Sequence, residues 1–460
     1  MRPPLRPPSA AAAVGGAAAL WGLAIGLRPL SDNSALTHLA TGRLILAGGI
    51  PRHDPFSFTA GGHAWTVYSW LSSAGAALAD RAGGGHGIQV VHALLTTGLA
   101  LLAWRLTRPA ASLAGRIIVT TVVLAVGTGM WSERPLLPAL VLFALVVALV
   151  ESDRSPRLAA VGLFWVWVNV HGSFPLGLVY IGVRLAGRRL DGKPPGRLPK
   201  VLAAAVVGTM AGAVNPLGPR LLVVPIRLLA RHDLLERVQE WRPADFSQLP
   251  TLSLLVALMA ALVLAGRRRS WEDTLVVAVF GVAACVAQRN LAMASVVLAP
   301  ALARGLTGLG SITGEQRGRP TAVAGALLTS VAVVFTVVSL RQPAYDLSGY
   351  PVRQLDWMQS QGLLERRLAT QDFVGNYLIA LRGRRANVFF DDRFDLYPPQ
   401  VIRDSLALLD GSEGWQRRLD RYRIDVVLWE RAKPLAGLLA LDPGWRVVRR
   451  DGRWLVAVRA

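Results

Sequence analysis

The stretch Ser31–Trp70, SDNSALTHLATGRLILAGGIPRHDPFSFTAGGHAWTVYSW, decides how the chain is read. It follows directly on an apolar segment of bilayer-spanning length and is the longest polar interruption near the start of a very apolar sequence. It holds two aspartates (Asp32, Asp54), three histidines (His38, His53, His63) and two arginines (Arg43, Arg52). A mere connector between two spans is shorter and plainer. The stretch therefore reads as one wall of an active site at a membrane surface.

Around it, apolar runs come in series. They cover approximately 10–30, 88–106, 116–131, 135–150, 157–170, 174–187, 200–214, 250–266, 272–287, 290–307 and 321–340. Only 17% of residues are charged, against about a quarter in a soluble domain. The chain reads as a polytopic α-helical membrane protein with about eleven spans. Segment Thr66–Ala82 suits either a helix lying at the interface or a tilted span.

The net charge of +21 sits largely in short loops between the runs, such as RLAGRRLDGKPPGRLPK at 184–200 and Arg267–Arg269. Orientation by inner positive charge explains these clusters without a nucleic-acid partner. If 66–82 stays outside, the basic loops alternate cleanly. Arg2 and Arg6, 105–116, 153–157, 184–200, 267–269 and 304–319 fall inside. Residues 31–87, 131–134, 169–173, 215–249, 288–290 and everything after 340 fall outside. The expected topology is multi-pass in the plasma membrane, N-terminus cytoplasmic and C-terminus extracytoplasmic. The basic start and apolar core of the N-terminus also resemble a signal peptide, but the apolar part runs on to Leu27 and favours an uncleaved first helix. Arginine far outnumbers lysine, which occurs only at Lys193, Lys200 and Lys433; with so much Ala, Gly and Pro this composition suggests a high-GC bacterial genome. Cys285 is the only cysteine, so no internal disulfide or Cys-based metal site forms.

This topology gathers the awkward polar residues on one side. Glu133-Arg134-Pro135, Asn169 with His171, Asn215-Pro216, Glu240-Trp241 and Arg289-Asn290 all fall at outer span ends, on the surface that Asp32 and Asp54 face. Ionisable groups at membrane depth are costly and mark polar cavities. The division expected is 1–340 as the membrane domain, with a first outer loop at 31–87, and 341–460 as a small extracytoplasmic α/β domain. In the latter, Asn387–Phe390 and Ile424–Trp429 read as strands, Val401–Leu409, Trp415–Tyr422 and Pro434–Leu441 as helices, and Trp445–Arg450 with Arg453–Val458 as a hairpin closed by Asp451-Gly452.

Each candidate carries two readings. Asp32 precedes a helical pattern and reads as an N-cap or as a general base that orients an acceptor. Arg43, on the same short helix as His38, suits a phosphate or a lipid headgroup. Asp54 stands before Pro55 and reads as a turn starter or, like Glu133, as a second acid. Asp32, Asp54 and Glu133 offer oxygens to a divalent cation, but no spacing motif places one. His53, His63 and His171 lack zinc-ligand spacing. Trp241 and the other outer-end aromatics read as an interfacial belt or as sugar-stacking platforms. Asp391-Asp392-Arg393 reads as a solvated strand end with an internal ion pair, or as a binding site.

Several of these residues carry a resemblance. Asp32, His38, Leu39, Ala40, Thr41, Gly42 and Arg43 match a D-x5-H-L-A-T-G-R loop, followed by D-P-F-S-F-T at 54–59. Arg134-Pro135, Arg289-Asn290 and Phe389-x-Asp391-x-Arg393 complete the pattern. The chain resembles the GT-C superfamily of integral membrane glycosyltransferases, in a protein O-mannosyltransferase-like or uncharacterised bacterial branch. The resemblance implies a hexosyl- or pentosyltransferase that moves a sugar from a polyprenyl-phosphate donor to a cell-envelope acceptor. It makes Asp32 the catalytic or metal-coordinating carboxylate. Arg43, Arg134 and Arg289 are candidates to hold the donor phosphate, since that leaving group needs charge neutralisation and the outer face is rich in arginine. His38, His171, Asn215, Trp241 and Asn290 complete the candidate site. Asn33 stands where O-mannosyltransferases often carry a second acid. Two alternatives stand beside this reading: a non-catalytic scaffold for envelope assembly, and a lipid-linked-sugar transporter. Spans nearly free of central ionisable groups argue against the transporter.

Overall fold

The computed structural model describes residues 7–152, 157–230, 239–306 and 314–460. Arg2 and Arg6, 153–156, 231–238 and 307–313, which the sequence assigns to loops or to the N-terminus, lie outside the described residues. The chain divides into two units.

The first unit comprises Met1–Leu30, Ala79–Ile226 and Glu236–Tyr345. Every apolar run of the sequence lies on a helix. Trp70–Leu106, Leu113–Met130, Leu249–Arg267 and Arg319–Ser339 are long and apolar enough to cross a membrane. Ala10–Gly26, Leu136–Glu151, Arg157–Val170 and Leu198–Ala211 are apolar but shorter. Pro175–Leu190, Trp271–Val286 and Leu291–Gly305 complete the series. Segment 66–82 carries a helix of its own from Trp70, and the non-helical backbone of Gly83 and Gly84, the latter with a φ of 60°, separates it from the helix that runs on to Leu106. The Arg319–Ser339 helix buries no residue against the protein, as suits an apolar helix facing lipid. Inside the bundle, Phe143 packs on Trp167, Tyr180 and Phe280, with ring centroids 5.5–6.0 Å apart.

An ionic network ties four helix ends of this bundle. Arg184 Nη2 lies 2.7 Å from Glu272 and 3.3 Å from Glu151. Arg304 Nη1 lies 2.6 Å from Glu151, its Nε donates to Asp273 at 3.0 Å, and its Nη2 pairs with Asp273 as well. Each buried charge thus faces an opposite one, the condition under which burial is tolerated.

The second unit comprises Ser31–Leu78, Arg227–Leu235 and Asp346–Ala460. Its sheet has the order β1-β2-β4-β3. β1 (Leu368–Ala369) runs parallel to β2 (Val426–Glu430). β2 pairs antiparallel with β4 (Trp454–Arg459), which forms a hairpin with β3 (Trp445–Arg450). Trp429, Phe389, Phe390, Tyr397, Ile402 and Leu419 fill the core. Phe56, Ala60, Trp65 and Val67 belong to that same core. Contacts therefore divide the chain otherwise than at residue 340. The apolar residues of the DPFSFT loop are buried by the tail, so 31–78 groups with 346–460.

The tail helices at 399–409, 415–421 and 434–441 and the hairpin fall where the sequence pattern puts them. Asn387–Phe390 is not a strand. Asn387 takes a φ of 45°, which interrupts extended pairing, and only Val388 forms a bridge, to Ser57. Helices Val352–Ser360 and Asp372–Arg382 lack an individual reading in the sequence.

Candidate functional site

The second unit positions Asp32 at the N-cap of the Asn33–Gly48 helix, with φ −74° and ψ 118°. Its Oδ1 accepts from Ser34 N–H at 3.0 Å, the capping bond expected of this residue type. Along the helix, His38 Nδ1 lies 2.9 Å from Ser73 Oγ. Gly42 explains itself by space: a Cβ there would fall 1.9 Å from the Ser73 carbonyl oxygen. This helix and the start of the helix from Trp70 meet backbone to backbone at Ser73, and only glycine permits it. Arg43 is exposed and reaches the Ala380 carbonyl at 3.3 Å.

The tail supplies a second carboxylate to the same turn. Ser34 Oγ donates to Asp392 Oδ2 in a short hydrogen bond. The Asp392 N–H donates to Asn376 Oδ1 at 3.2 Å, from the Asp372–Arg382 helix. That helix approaches closely because a Cβ at Gly375 would fall 2.1 Å from the Phe390 carbonyl oxygen. Enclosure by the protein pushes the Asp392 carboxyl up to about 7, with the Asp391 charge next in weight. The Ser34 hydrogen bond works the other way, and Asp372 and Asp32 add to the rise. Burial likewise raises Asp372.

Asp54, Asp391 and Arg393 form a closed lock beside it. Arg393 Nη1 lies 2.7 Å from Asp54, its Nη2 lies 2.6 Å from Asp391, and Tyr397 donates to Asp391 at 2.6 Å. The guanidinium stands 4.6 Å from the Trp65 ring centroid and 5.1 Å from that of Phe56. Burial works against the Arg393 charge, but Asp391 and Asp54 outweigh it and keep the group firmly protonated. Asp54 also accepts from Phe56 N–H at 3.1 Å and Ser57 N–H at 3.0 Å. With these partners its oxygens serve the turn and the ion pair. The Asp391-Asp392-Arg393 segment is not a solvated end: Asp391 is fully buried and Arg393 nearly so.

The first unit brings together Arg134, Glu240, Trp241 and Arg289. Arg134 Nη1 lies 2.6 Å from one Glu240 oxygen, Arg289 Nη1 3.7 Å from the other. The Arg289 guanidinium stacks 4.3 Å from the Trp241 ring centroid. Backbone bonds hold this strap to its neighbour: Ala244 N–H donates to the Cys285 carbonyl and Gln288 N–H to the Arg242 carbonyl, each at 3.0 Å. Glu240 thus pairs with two guanidiniums at once.

The remaining candidates have the following partners and burial. His171, buried, pairs its Nδ1 with Ser173 Oγ at 2.9 Å. Asn215 holds a turn, accepting from Leu217 N–H at 2.7 Å and donating to the Gly212 carbonyl at 2.6 Å. Asn290 donates to the Ala283 carbonyl at 2.9 Å. Glu133 is half-buried. Among the described residues, no three His, Cys, Asp or Glu side chains group so as to hold a metal ion. Sequence reasoning named neither Ser34 nor Asn376. For Asp392 it had only the acidic pair at 391–392, because the contacts span more than 300 residues of chain.

No family model matches the chain, and no curated protein does. Solved structures do match. The archaeal oligosaccharyltransferase AglB from Archaeoglobus fulgidus, in complex with an inhibitory peptide and a dolichol-phosphate, aligns with a TM-score of 0.51 at 12% identity, over 91% of this chain and 69% of that one. The apo form of the oligosaccharyltransferase of that organism aligns over the same shares at 12% identity, with a TM-score of 0.48. The likeness to the complexed form is one of fold. It does not single out an O-mannosyltransferase-like branch.

Proposed function

We propose that this protein is a membrane glycosyltransferase that moves a sugar from a polyprenyl-phosphate carrier to a cell-envelope acceptor on the outer face of the plasma membrane. The observation that carries the reading is the oligosaccharyltransferase-like fold over 91% of the chain, taken with an aspartate at the head of the first polar helix. Asp32 takes the proton of the acceptor hydroxyl as that oxygen attacks the anomeric carbon. The bond from this carbon to phosphate breaks, and polyprenyl phosphate leaves with the electron pair. A phosphate leaving group needs charge neutralisation more than a proton. Arg43, Arg134 and Arg289 are the candidates to supply it. Trp241 offers its ring to the sugar or the carrier.

The test is release of polyprenyl phosphate from a panel of lipid-linked sugars by the purified full chain in nanodiscs. Turnover of at least one donor is expected, falling by about 100-fold or more in Asp32→Asn, with the fold intact because Asn caps a helix as well as Asp. Undiminished turnover in that variant overturns the role of Asp32.

The capping bond of Asp32 favours one second reading, a scaffold for envelope assembly. An envelope phenotype fully retained in Asp32→Asn supports it.

A further inference from the structure

Ser34 touches two carboxylates at once. Its backbone N–H donates to Asp32 Oδ1 at 3.0 Å, and its hydroxyl donates to Asp392 Oδ2. The two acids lie at opposite ends of the sequence, yet one residue joins them within the second unit. Asp392 is not locked as its neighbour is. Asp391 has Arg393 and Tyr397, whereas among the described residues no arginine, lysine or histidine pairs with Asp392.

Three other carboxylates act on Asp392 from the segments around it. The Asn33–Gly48 helix brings Asp32 and Ser34, the Asp372–Arg382 helix brings Asp372 and Asn376, and its own segment brings Asp391, whose charge Arg393 offsets. Asn376 is fully buried, and its Nδ2 has no hydrogen-bond partner. A half-buried carboxyl without a cation costs stability. Its enclosure keeps it partly protonated near neutral pH.

We propose that Asp392 is a positioning residue for Asp32, acting through Ser34. As acceptor of the Ser34 hydroxyl it fixes that side chain, and with it the turn whose N–H orients the Asp32 carboxylate. This rests on the reading of Asp32 as the reacting carboxylate. When Asp392 takes up its proton the acceptor weakens, so the turn is held best above neutral pH.

A double-mutant cycle on the full chain tests the pair without any substrate. Thermal unfolding is followed at pH 5 and pH 8 for the wild type, Asp32→Asn, Asp392→Asn and the double variant. A carboxyl raised in the folded state stabilises the fold fully below its unfolded value near 4, and that contribution is lost as pH rises towards the folded value of about 7. Asp392→Asn is therefore expected to unfold about 3 °C higher than the wild type at pH 8, and by a smaller margin at pH 5. At pH 8 the single-variant shifts are expected to differ from additivity by about 1 °C or more. Additive shifts at both pH values overturn the pairing, whatever the reaction is. A coupled cycle with undiminished donor turnover in Asp32→Asn leaves the pair standing and removes the transferase role of Asp32. In the turnover assay, Asp392→Asn is expected to lower kcat about 10-fold with KM nearly unchanged. It also flattens the pH limb near neutrality, and Asp392→Glu restores part of both. An unchanged kcat and profile overturns the positioning role.

Discussion

Arg393 donates to Asp54 and Asp391 at once while two aromatic faces cover its guanidinium. Only the planar fork of arginine answers two carboxylates in this geometry. Removing it leaves two buried acids without a counter-charge. Arg393→Ala is expected to cost about 3–5 kcal/mol, read as a lowered thermal midpoint of the full chain. Arg393→Lys should recover only part, because one ammonium cannot serve both partners. A midpoint within 1 °C or so of wild type in Arg393→Ala would show that the lock is idle. The site was partly legible at this scale. Asp32, Arg134, Arg289 and Trp241 stood out as polar or aromatic groups at apolar boundaries, and the structure places the last three around Glu240. Ser34 and Asn376 did not stand out, since a serine after a cap and an asparagine within a helix look ordinary until their partners arrive from the tail.

At the scale of the element, the helix behind Asp32 depends on a missing side chain. Gly42 lets the Ser73 carbonyl and Ala77 approach the helix backbone, with an added Cβ falling 1.9 and 2.8 Å from them. Gly42→Ala is expected to cost about 1–3 kcal/mol through this overlap and to lower donor turnover by disturbing the His38–Ser73 contact. Unaltered stability in that variant would mean the helix shifts freely. Each apolar run lies on a helix of the first unit, because a burial pattern sustained over four turns is strong, whereas the short helix beginning at Val224 falls outside any run. The sequence set Thr66–Ala82 apart from the run at 88–106, and the non-helical backbone of Gly83 and Gly84 keeps the two helices apart. The sequence took Asn387–Phe390 for a strand, because an apolar run reveals burial but not the positive φ that precedes it.

For the whole molecule, the informative division is the joining of 31–78 with 346–460. Phe56, Trp65 and Val67 find their core among tail residues such as Phe389, Phe390 and Tyr397. A chain cut after Tyr345 is expected to expose these residues and to be cleaved within 31–78 under limited proteolysis that spares the full chain. Equal resistance would show that the segment folds without the tail. A tail deletion is thus no clean probe of a partner-binding role, because it also strips the Asp32 helix of its support.

The shared core sets a delay during synthesis. About 270 residues of chain separate Leu78 from Asp346. At the pace of a ribosome this is a wait of roughly 15–55 s. For that time the D-P-F-S-F-T loop is made but unmatched, with its aromatics bare. The cell must shelter a half-built fold while the remaining apolar helices are laid down, and a message truncated in its last quarter yields a protein whose first loop waits for a partner that never comes.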